Sequence, residues 1–122
     1  MIGFLLSSVA ILLFIIIAPF GFLWQIITNL KGVNKYLFKV AVSIDQMGNV
    51  VCNKLLNDVM IKGNLHKFGN PDETISSVIG KNHESGTLTF FGHSLHYLLN
   101  KIEKNHSENA IEEDENERKA NE

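Results

Sequence analysis

The stretch Ile2–Leu23, IGFLLSSVAILLFIIIAPFGFL, decides how the rest of this chain is read. It carries no charge, and only Gly3, Ser7, Ser8, Pro19 and Gly21 fall outside the hydrophobic set. As a helix rising about 1.5 Å per residue it covers ~33 Å, enough for a hydrocarbon layer of ~30 Å. A backbone in lipid must satisfy its own hydrogen bonds, so a transmembrane helix is the expected conformation. Phe20, Phe22 and Trp24 gather where an aromatic belt meets the headgroups, and Pro19, lacking a backbone donor, is placed to kink the last turn. Lys31, Lys35 and Lys39 follow with no acid between them. The positive-inside rule then puts the C-terminal side in the cytoplasm and the N-terminus outside. A cleaved signal peptide needs a basic segment before the apolar run and a small-x-small site after it, and residues 1–30 offer neither. A re-entrant hairpin broken at Pro19-Phe20-Gly21 is the third reading, and an uncleaved single-pass anchor is the one favoured.

Outward from the anchor, the composition changes. Residues 1–30 hold 22 hydrophobic residues and no charged one, which leaves residues 31–122 thin in apolar groups for an independent core. Charge divides the chain again, with seven acids against Arg118 and Lys119 after His106, and a faintly basic balance before it. One arginine and no concentrated basic patch argue against nucleic-acid binding. The single cysteine, Cys52, excludes a disulfide scaffold and a multi-thiolate zinc module and suits a reducing compartment.

Periodicity predicts an amphipathic helix over Val33–Ile61, with Leu37, Val40, Ala41, Ile44, Val51, Leu55 and Val59 on its apolar stripe, Gly48 within it and Cys52 buried beside it. Asn70 as cap, Pro71 at the first position and Glu73 in a capping box predict a short helix over Pro71–Ile79, ended by Gly80. A third helix is expected from about Leu88 to Asn105, with Thr87–Phe90 as a possible extended start. Residues 107–122 are acidic and poor in apolar groups, and are expected to be disordered. The fold class is therefore all-α: a transmembrane anchor at 1–30, a small bundle of about three amphipathic helices at 31–106, and an acidic disordered tail at 107–122. So little apolar surface points to further burial against the bilayer or another copy.

Candidate site residues are Asp45, Asn49, Asp72, Glu73, Ser76 and His106. Asp45 and Asn49 share a helix face at i and i+4, and Asp72-Glu73-Thr74 with Ser76-Ser77 groups carboxylates with hydroxyls. Such carboxylates can divide acid and base roles if their surroundings push their pKa values apart, whereas capping accounts for Asp72 and Glu73 without catalysis. His93 and His96 stand at i and i+3, but a closed metal site needs further ligands, so both read as the polar flank of a helix. No Walker loop, dinucleotide fingerprint or HExxH is present, and neither a cofactor nor a metal is expected.

The strings Ser43-Ile44-Asp45-Gln46-Met47-Gly48-Asn49 and Asn70-Pro71-Asp72-Glu73-Thr74-Ile75-Ser76-Ser77 resemble a family of small phage and prophage proteins. That family is marked by S-x-D-Q-x-x-N, then P-D-E-T-[IL]-S-S-R, then a late His-Cys. The resemblance spans about Val42 to Ile111 and implies that the Asp45/Asn49 face meets Asp72, Glu73 and His106. Val78 stands where the pattern has arginine, Ser107 where it has cysteine, and the interval from Asn49 to Pro71 is longer. Ser107 argues against a cysteine-dependent mechanism here. The resemblance carries no assigned activity with it. Two functions are weighed: a phage- or prophage-type membrane protein acting by self-association or by binding a host or phage membrane protein, and a small membrane-bound hydrolase using the Asp/Glu/His groups.

Overall fold

The computed structural model describes residues 1–121; the regular elements among them are helices, with no strand. The chain forms two compact units, Met1–Lys39 and a second that begins at Val40.

In the first unit, α1 runs over Ile2–Thr28 and continues unbroken through Pro19. None of its residues is buried, and its most apolar window has a mean hydropathy of 2.6. It is long and apolar enough to cross a membrane. Its hydroxyls are returned to its own backbone. Ser7 and Ser8 donate to Phe4 O at 2.9 and 2.8 Å, and Thr28 to Trp24 O at 2.7 Å. Asn29 then breaks the helix, and its Oδ1 accepts from Gly32 N to close a 3₁₀ turn over Leu30–Gly32.

The expected single helix over Val33–Ile61 is two: α2, Val33–Val51, and α3, Asn53–Val59. They meet at Cys52, whose φ of −98° and ψ of 9° leave the helical basin although its N–H still donates to Gly48 O and its carbonyl accepts from Leu56 N, both at 2.9 Å. The stripe is inverted relative to expectation. Leu37, Ala41, Ile44, Val51 and Leu55 are exposed, as is Cys52. What α2 and α3 bury instead is Asn49 and Leu56. Periodicity identifies a stripe, but a buried amide that bonds backbone determines which face turns inward.

The capped helix also shifts. Thr74, not Asn70, is the cap, with its Oγ1 accepting from Ser77 N at 3.1 Å, and α4 covers Ile75–Glu84. Asn70-Pro71-Asp72-Glu73 instead forms a turn in which Asn70 Oδ1 accepts from Asp72 N at 3.0 Å and Asn70 O from Glu73 N at 3.2 Å. Gly80 does not end α4. It lies inside the helix, where the missing Cβ, which would sit 2.5 Å from Ser107 O, leaves room for α6; the stop comes at Gly86, with φ +67°.

Helix α5, Phe90–Ile102, starts later and ends earlier than expected, and Thr89 caps it through Gly92 N at 3.2 Å. Leu88 is extended and bridges Ile61, framed by Lys62 N→Thr87 O at 2.7 Å and Thr89 N→Met60 O at 3.0 Å. The acidic segment is not disordered where it is described: α6 runs over His106–Asn121. Its opening turns carry the small residues Ser107 and Ala110, both buried, which let it lie against α4 at Gly80. An averaged composition conceals those two positions. The core comprises Leu56, Ile61, Phe68, Val78, Ile79 and Leu88, with Met60, Ile75, Leu95 and Leu99 packed against it.

Candidate functional site

Two polar clusters stand out in the second unit. The first grows from the inward face of α2 and α3. Asn49, fully buried, donates through Nδ2 to Asn70 O at 3.0 Å and Glu73 O at 2.7 Å, and accepts at Oδ1 from Gly69 N at 2.9 Å. Two turns on, Asn57 pairs with both backbone groups of Phe68 at 3.0 and 2.9 Å. One turn back, Asp45 accepts from Ile75 N at 3.1 Å and from the Ser76 hydroxyl at 2.8 Å. A carboxylate at the first turn of α4 is favoured by the helix dipole and satisfies donors that lack an intrahelical partner.

Asp45, Asn49, Glu73 and Ser76 therefore converge on one turn. The Glu73 carboxylate faces away along α4, accepting from Ser77 Oγ at 3.0 Å and pairing with the half-buried Lys81. Asp72 is exposed. His106 lies elsewhere, at the α5–α6 junction, where its Nδ1 meets Glu103 Oε2 at 2.8 Å. The arrangement accounts for these side chains as fasteners: Asp45 and Asn49 are already committed to backbone groups, and the Ser76 hydroxyl donates to Asp45.

The second cluster joins three helices. His83 from the last turn of α4, His96 from α5 and Glu108 from the first turn of α6 bring one ligating atom each within 4.8 Å of one another. The His83 and His96 rings stack at 3.8 Å between centroids, tilted by 16°. His93 meets His83 edge-on at 6.1 Å. His96 is buried, and its Nε2 lies 2.9 Å from Glu108 Oε1 and 3.2 Å from Asn100 Nδ2. Among the described residues, Glu108 Oε2 and Asn100 Oδ1 are buried with no hydrogen-bond partner. Burial pushes the Glu108 carboxyl up, but the His96 hydrogen bond, its own backbone amide and the charges of His96 and His83 outweigh that and hold it below its usual value.

The flank reading thus fits the exposed His93 and fails for His96, whose partners come from helices α4 and α6. No sequence spacing links positions 83, 96 and 108, so His83 and Glu108 could not be singled out beforehand. Comparison with protein-family models, curated proteins and solved structures finds no match to this chain.

Proposed function

We propose that this chain is a single-pass inner-membrane protein of phage or prophage type that acts by packing against a second copy of itself at the host membrane. The observation that carries the reading is the inverted helix. Ile44, Met47 and Val51 on α2 recur at steps of three and four residues, Leu55 follows four residues on in α3, and the four are 55, 56, 75 and 64% exposed. That spacing is the seam of a helix–helix contact. Lipid is the weaker occupant for it, because Lys54 on this face is matched by Asp58 at 2.9 Å and the unmatched lysines Lys31, Lys35 and Lys39 lie before the stripe. Anchoring copies in one plane raises their effective concentration, so a short seam suffices. A hydrolase draws less support, since Asp45 and Asn49 already bond backbone.

The membrane half of the proposal is tested by expressing the full chain in bacteria with a C-terminal reporter active only in the periplasm. The chain should stay with the membrane through an alkaline wash and give no reporter signal. Release by the wash would remove the anchor, and strong activity from an intact fusion would reverse the orientation.

A further inference from the structure

We propose that His83, His96 and Glu108 bind one divalent transition-metal ion of the zinc class, which fastens α6 to α4 and α5. The donor set is two imidazole nitrogens and one carboxylate oxygen, the borderline N/O set that zinc accepts, with a fourth position left for water. Each ligand comes from a different helix, so an ion would link the segment after Asn105 to the body of the domain.

Two further features point to a cation. Oε2 of Glu108 and Oδ1 of Asn100 are buried oxygen acceptors without a donor, beside the same imidazole. Buried acceptors are almost always partnered, so two orphans at one spot mark a missing positive group. The single nitrogen Nε2 of His96 faces both a carboxylate and an amide nitrogen, and one proton on it cannot serve both. Donors on a tetrahedral ion with bonds of about 2.0–2.1 Å stand roughly 3.3 Å apart. Closing from 4.8 Å takes the exposed His83 ring out of its stack on His96, because the in-plane nitrogens of two parallel rings cannot both point at one ion.

The test uses the full chain in detergent micelles and titrates Zn²⁺ against a chromophoric chelator, with Co²⁺ as a spectroscopic probe. The wild type should bind one equivalent of Zn²⁺, give the visible bands of four-coordinate Co²⁺, and melt at a higher temperature with Zn²⁺ than without. His83→Ala and Glu108→Gln should each weaken Zn²⁺ binding by at least about tenfold and abolish the melting shift. Neither group lies in the hydrophobic core, so both variants keep the test open if His96→Ala fails to fold. His106→Ala, outside the cluster, should bind like the wild type. No Zn²⁺ bound by the wild type, equal binding by His83→Ala and Glu108→Gln, or an equal loss in His106→Ala would each overturn the site.

Discussion

Asn49→Ala should unfold the domain or bring it close to unfolding. The amide serves Gly69 N, Asn70 O and Glu73 O together, and Asn49 is fully buried. Each buried polar group left without a partner costs about 1–3 kcal/mol, so three lost bonds add up to several kcal/mol. A domain of this size has about 5–10 kcal/mol in total. Asn49→Asp is a sharper test because it preserves the shape. A carboxylate can still accept from Gly69 N but cannot donate to either carbonyl, so Asp should be no better than Ala. Lys54→Ala, which removes an exposed ion pair, should shift stability by less than about 1 kcal/mol. Thermal melts of the full chain in detergent, followed by circular dichroism, compare the three. An Asn49→Ala melt indistinguishable from wild type would refute the fastening role.

The second large effect is expected at two glycines where alanine would ordinarily help. In an exposed helix interior, Gly→Ala stabilises by about 1 kcal/mol. At Gly92 a Cβ would lie 2.2 Å from Met60 O, and at Gly80 it would lie 2.5 Å from Ser107 O. Both obstacles are backbone atoms, so the helices themselves must separate. Overpacking of that kind costs about 1–3 kcal/mol, which reverses the sign. The losses should differ in place. Gly80→Ala should free α6 and raise amide exchange around Ser107 and Ala110, while Gly92→Ala should open the Ile61–Leu88 bridge. Gly48→Ala is the contrast, since its nearest obstacle is the Ile75 Cδ1 methyl at 3.1 Å, which can turn aside. Stabilisation by alanine at Gly80 or Gly92 would contradict the packing described.

The long apolar N-terminal helix was legible because one signal, a long run without charge, needs no tertiary information. The later helices were legible as helices but not at their edges. Asn70, Pro71 and Glu73 satisfy the local rules for a helix start, yet Asp45, thirty residues upstream, takes the amide of Ile75 and fixes the start after Thr74. The tail was misread for a similar reason. Its average is acidic, but docking depends on Ser107 and Ala110 meeting a glycine on another helix. Among the candidate residues, the Asp45/Asn49 face was expected to meet Asp72, Glu73 and His106; it meets the Glu73 backbone and Ser76, while Asp72 is exposed and His106 is drawn to Glu103. The His83–His96–Glu108 cluster had no spacing to betray it. Its members meet only after three helices have packed.

The self-association claim is tested most directly by cross-linking Cys52 in intact membranes. This thiol is exposed and adjoins Val51 on the uncovered seam. A short bismaleimide should convert the wild-type chain into a species of twice its mass. Met47→Lys and Val51→Lys should abolish that species by placing like charges on the seam, without loss of the membrane-bound monomer. A monomer alone, a product of some other mass, or a dimer equally abundant in both lysine variants would contradict the account.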